Sequence, residues 1–172
     1  LSSNGSSMQD STPIIESLEK KYKNLSIYPE DSRLSFIAAL IEEYADEWGN
    51  KHMFHYRWSY KADQKLSSKR IAAMNVPTLI KYIPIVSSLA LDKEAEIVRN
   101  RMISRVSFVG SSDKNKDQIE SSFKRLIELL DNHFKIFPYL FGGRPSIADF
   151  GLWGQLYNCL LYTSPSPRDR FL

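Results

Sequence analysis

Apolar residues recur along this chain at helical rather than strand spacing. After a polar opening, Ile14, Ile15, Leu18 and Tyr22 repeat every three or four positions, with Ser11 or Thr12 able to cap the helix and Pro13 in its first turn. This helix is expected to end near Asn24. The loop "LSIYPEDSRL" follows, with Asp31 or Ser32 as the next cap. From Leu34 to about Trp48 an apolar stripe of Leu34, Ile37, Leu40 or Ile41, Tyr44 and Trp48 faces away from Glu42, Glu43, Asp46 and Glu47, predicting a long amphipathic helix that continues or bends after Gly49.

A further helix is expected over Ala62 to Met74, with Leu66, Ile71 and Met74 inward. "NVPTLIKYIPIVSSLA" is ambiguous between a helical turn with loop and a packed irregular stretch, because Pro77 and Pro84 bracket it. Helical spacing resumes behind Asp92 as a cap and stops at Gly110. Another helix carries Ile119, Phe123, Leu126 or Ile127, Leu130 and Phe134. In the last, Ser146 caps and Asp149 stands at the third position of a capping box. Ile147, Phe150, Leu152, Trp153, Leu156, Tyr157 and Leu160 then cover so many faces that the helix is expected to be buried at the centre of a bundle. The fold class is all-α.

At 172 residues one main domain is expected. A formal charge of +3, with 23 basic and 20 acidic residues mixed along the chain, shows no basic stripe for nucleic acid. No apolar run is long enough for a membrane span. The single cysteine, Cys159, excludes an internal disulfide, suits a reducing compartment and reads as a core filler. "TSPSPRDRFL" carries no core pattern and resembles translated adapter sequence, and a chain that begins on Leu1 is expected to be a fragment.

His52 and His55 share a helical face, but no third metal ligand stands at a recognisable offset, so a packed or partly exposed aromatic cluster with Phe54, Tyr56 and Trp58 is the ordinary account, and a ligand-facing role at a cleft is the alternative. His133 reads as a surface histidine. "FGGR" lacks phosphate-loop spacing and reads as a tight turn before the last helix. Asp10 and Ser11 stand at a helix N-terminus, which favours an anion. An amino-acid-like ligand could place its carboxylate on Ser11 and its ammonium on Asp10.

"QDSTPIIESLEKKY" and "YLFGGRPSIADFGLWGQL" together resemble two motifs of the cytosolic-type glutathione transferases, and "EEYADEWGNKHMFHYRW" is similar to a divergent branch of them. The resemblance covers Gln9 to Leu161. It implies a glutathione-transferase C-terminal-like helical bundle over 29–162, preceded at 9–28 by the last helix of a truncated thioredoxin-like domain and a linker, with a flexible lead-in at 1–8 and an unstructured tail at 163–172. Asp10 and Ser11, with Gln9 before them, would hold the γ-glutamyl end of glutathione. Tyr44, Trp48, His52, Tyr56 and Trp58 would wall the pocket for a small apolar electrophile. Ser146 and Asp149 would form the family's structural cap. No catalytic residue and no metal is implied within the chain, since the thiol-activating group of the family lies in its thioredoxin-like domain. The implied whole protein is a cytoplasmic transferase able to pair as a homodimer, of which this chain is an inactive fragment. The alternative is a non-catalytic interaction or folding module of the same shape.

Overall fold

The computed structural model describes residues 7–22, 25–77, 80, 82 and 84–163, with backbone alone for 160–163. The lead-in before residue 7, the expected helix end at Asn24, part of the proline-bracketed stretch, the Leu160 side chain and the tail after Thr163 lie outside the described residues. Seven α-helices are described: α1 Ser11–Lys21, α2 Ser32–Tyr44, α3 Asn50–Trp58, α4 Lys61–Asn75, α5 Pro84–Ile103, α6 Lys116–Phe134 and α7 Ile147–Thr163. Among the described residues the only strand-like pairing is an isolated bridge between Tyr139 and Gly142. The architecture is an all-α bundle, and none of these helices is long and apolar enough to cross a membrane.

Between α2 and α3 the helix does not break. Ala45–Gly49 form a π-helical turn, with the Asn50 N–H reaching the Ala45 carbonyl. The extra residue per turn shifts the face that α3 presents relative to α2. Helix α7 packs on α2, the π turn and α3, while α4 lies along α5 and α3 bridges α4 and α6. The centre at α2 and α7 is made of small residues: Ala38 and Ala148 are buried with Ile147, and Ile15, Ile27, Tyr28, Ile41, Leu140 and Phe141 close over them. A Cβ at Gly151 would lie 3.4 Å from the Glu42 Cα and 3.5 Å from the Ala45 Cβ, so the backbones of α7 and α2 pass close together here.

That close approach explains where periodicity misplaced the core. The large residues Leu34, Ile37 and Leu40 stay exposed, and Ala38 and Ile41 of α2, with Ala45 at the start of the π turn, form the inner face. In α7, Phe150, Trp153 and Tyr157 are exposed, Trp153 at 62%, whereas Ala148, Leu152 and Cys159 are buried. The expected central helix is one-sided. In α4 the inner residues are Ser67, Ser68 and Ala72 rather than Leu66 and Met74. Helix α5 begins at Pro84, so Asp92 is interior instead of a cap; it pairs with Lys69 across to α4 at 3.0 Å. Residues after Ile103 turn repeatedly until Gly110, whose φ of 88° suits glycine. The α6 stripe follows expectation in part: Ile119 is buried and Phe123, Leu126 and Leu130 are half-buried with Ile127 outside, whereas Phe134, the last residue of the helix, is exposed.

Asp31 caps α2, its Oδ1 accepting from the Arg33 and Leu34 N–H groups at 2.9 and 3.2 Å. The Leu34 and Arg33 N–H bonds, then the Arg33 guanidinium, hold this carboxyl below its usual range.

Candidate functional site

The Asp10–Ser11 corner is exposed. Asp10 occupies the cap position of α1 at φ 82°, and its carboxylate makes no capping bond; Ser11 is already the first helical residue, and Pro13 sits in the first turn. The expected Ser11 or Thr12 cap is therefore displaced by one residue or more. Thr12 instead donates from Oγ1 to Glu42 Oε1 at 3.3 Å, tying α1 to α2. Gln9 is exposed beside Asp10.

The five aromatic positions proposed for a pocket wall differ in exposure. Tyr44 and Trp48 are each 36% exposed, and the Lys51 ammonium sits 4.0 Å from the Trp48 ring centroid. Burial pushes the Tyr44 hydroxyl up. Tyr56 is half-buried against Phe123, with ring centroids 5.0 Å apart. Burial, then the Glu120 charge, raise its hydroxyl to about 12. His52 and Trp58 are each only 1% exposed and face inward, because the π turn and the packing of α3 between α4, α6 and α7 bury that side of the helix.

The Ser146 and Asp149 side chains meet at the start of α7. Asp149 Oδ2 accepts from the Ser146 N–H at 2.8 Å and from Ser146 Oγ at 2.7 Å, and Oδ1 accepts from the Leu140 N–H at 2.9 Å. The arrangement is one-sided compared with a reciprocal capping box, since the serine hydroxyl donates to the carboxylate. The Ile147 N–H is taken by the Ile27 carbonyl at 3.0 Å. The carboxylate thus fixes both the helix entrance and the "FGGR" turn, where Gly142 has φ 107°.

The buried face of α3 carries a polar cluster. His52 Nε2 lies 2.7 Å from Ser122 Oγ, and that hydroxyl donates to the Ile119 carbonyl at 2.8 Å. Ser122 therefore accepts, so the proton of neutral His52 is on Nε2, and the buried Nδ1 makes no hydrogen bond among the described residues. Burial first, then His55 and Lys51, push His52 down to about 4. In the unfolded chain the imidazole takes its proton near pH 6.5, so between about 6.5 and 4 the unfolded state binds more protons. The stability that depends on neutral His52 is complete above about pH 6.5 and declines toward pH 4. We expect the urea midpoint to fall between pH 7 and 5, and to fall distinctly less in His52→Gln. Parallel losses in both proteins would contradict this assignment.

His55 has partners on both nitrogens. Nδ1 is 2.7 Å from Ser111 Oγ and 3.1 Å from Ser59 Oγ, while Nε2 is 3.3 Å from Glu120 Oε1. Tyr60 also donates to Glu120 Oε1. The Tyr60 bond first, and His55 after it, hold the Glu120 carboxyl low; the same bond, with burial, raises Tyr60 to about 12. His55, Trp58, Ser59, Tyr60 and Ser111 line a cavity of about 250 Å³ between α3, α4 and the turn after α5. Only the His55–Ser59 spacing, one helical turn, could have suggested any of this; Ser111 and Glu120 come from far along the chain. No group of three or more metal-ligating side chains forms among the described residues. His133, expected on the surface, is half-buried and donates from Nε2 to the Tyr139 carbonyl at 3.1 Å.

Residues 113–170, which contain α6, the turn and α7, match the family model described as glutathione S-transferase, C-terminal domain. The helical domain is like that domain. The matched stretch is about a third of the chain and includes the Ser146 and Asp149 cap. No curated protein and no solved structure matches the chain.

Proposed function

We propose that this chain is the helical part of a glutathione transferase that joins the thiol of glutathione to a small apolar electrophile. The observation that carries this is the match of 113–170 to the C-terminal domain of that family. The exposed α1 entrance is consistent with it: Asp10, whose carboxylate is not used as a cap, would meet the glutathione ammonium. Ser11 and the free N–H groups of the first turn would meet the γ-glutamyl carboxylate, with Gln9 alongside. Tyr44 and Trp48, with the half-buried Tyr56, would offer the apolar wall; the inward His52 and Trp58 would support it from behind. Under this proposal the thiolate is activated by a group outside this chain, which alone conjugates no glutathione. The intact enzyme is cytoplasmic and pairs as a homodimer.

A half-site of a few charge-assisted bonds at an exposed corner should bind on the order of 1 mM. Titrating glutathione into the isotope-labelled chain is therefore expected to move the Asp10 and Ser11 amide resonances with millimolar saturation, and Ser11→Ala together with Asp10→Ala should abolish the shifts. In a chain that includes the thiol-activating domain, Ser11→Ala should raise the glutathione KM. An absence of shifts at Asp10 and Ser11 up to tens of millimolar would remove the glutathione site and leave the non-catalytic module.

A further inference from the structure

The polar cavity beside α3 has no part in glutathione recognition as proposed above, yet it holds a connected serine, histidine and carboxylate. Because Glu120 offers only acceptor oxygens, His55 keeps its proton on Nε2 and points it at Glu120. Nδ1 is then the basic nitrogen, and Ser111 Oγ, the nearer of its two hydroxyls, donates to it at 2.7 Å. A nucleophile, a base and an orienting carboxylate in series, bordering a cavity, is the arrangement that activates a serine.

The local chain holds Ser111 firmly. It follows Gly110 in its positive-φ turn, its N–H is bound by the Val106 carbonyl at 3.0 Å, and Asn115 ties the turn from both sides. The Asn115 amide donates to the Gly110 carbonyl at 2.7 Å, and its oxygen accepts from the Ser112 N–H at 2.8 Å. The cavity walls combine apolar Trp58, Ile103 and Val106 with Asp113 and Lys116, which offset one another in charge. At about 250 Å³ the space lies below the ~300–1,000 Å³ range of ordinary small-molecule sites. It suits a short, uncharged acyl group.

We propose that Ser111 is a base-activated nucleophile and that this cavity takes small neutral carboxylic esters, which it hydrolyses. Ser111 Oγ attacks the ester carbonyl carbon as its proton passes to His55 Nδ1. The bond from that carbon to the leaving oxygen breaks, and His55 returns the proton to the departing alcohol. Water then attacks the acyl-serine with His55 again taking and returning the proton, releasing the carboxylic acid and restoring Ser111. Lys116 is the cavity's cationic group for the transient oxyanion, and Glu120 is a positioning residue that holds the imidazole by Nε2.

The test uses the full chain and p-nitrophenyl acetate, without glutathione, so its result is independent of the transferase proposal. The expected result is a burst of p-nitrophenolate equal to the protein concentration, with one acetyl group located by tandem mass spectrometry on Ser111. Ser111→Ala should lose the burst. His55→Gln should slow acetylation by roughly 10²–10⁴-fold, the range for removal of a general base, while circular dichroism reports its folding. Glu120→Gln should slow it less and change its pH profile. The proposal is overturned if the unaltered chain shows no burst, or if the acetyl group sits on Ser59, Tyr60 or lysines with Ser111 unmodified.

Discussion

Replacing Asp149 with alanine is expected to lower the unfolding free energy by about 3 kcal/mol, measured as a shift of the urea midpoint at unchanged slope. Its carboxylate receives the Leu140 N–H, the Ser146 N–H and the Ser146 hydroxyl. Alanine would leave three donors beneath the turn, of which Ser146 is buried. Each unsatisfied buried donor costs about 1–3 kcal/mol, and partial access of water at the half-buried Asp149 keeps the total well below the sum. Against a typical domain stability of roughly 5–15 kcal/mol, the loss is large. Asp149→Asn should recover only part of it, because one carboxamide position accepts and the other presents a second donor to the same groups. A loss under about 1 kcal/mol for Asp149→Ala would mean that the turn holds without the carboxylate.

This cap was readable in advance because its residues lie three apart and their chemistry is local. The same holds for Asp31 and for the existence of most helices. What periodicity could not supply was which side of each helix would find a partner. In α2 the large apolar side chains and the alanines both recur at helical spacing, and only the close crossing with α7 chooses the alanines for the inside. In α4, buried Ser67 and Ser68 break the rule that the inner face is the more apolar one. The polar cluster is a sharper case. His52 and His55 were visible as a pair on one face, but their partners Ser111, Glu120 and Ser122 stand 56 to 70 residues away along the chain. Burial of the pair also depends on the π turn at Ala45–Gly49, an inserted residue that no local pattern announces. Tyr44 and Trp48 keep part of their surface open, whereas Trp58, beyond that register shift, is buried.

Trp58 is buried, as an aromatic cluster packed on this helix requires. Trp58→Ala is expected to cost about 4 kcal/mol, within the ~3–5 kcal/mol range for deleting a buried large aromatic side chain. Trp58 ends α3 at 1% exposure, packs at 6.4 Å from the Phe54 ring, and its carbonyl accepts the Gln64 side-chain amide at 2.8 Å. Removing the indole would join its volume to the adjoining 250 Å³ cavity, so the walls have little to close upon. Trp58→Phe keeps a ring against Phe54 and should recover most of the loss. Trp153, which helical spacing alone sends to the core, provides the contrast. At 62% exposure, Trp153→Ala should change stability by no more than about 0.5 kcal/mol, as expected for a surface position. Urea denaturation of the two alanine variants side by side decides the placement, and equal losses would mean that α7 buries the face left open here.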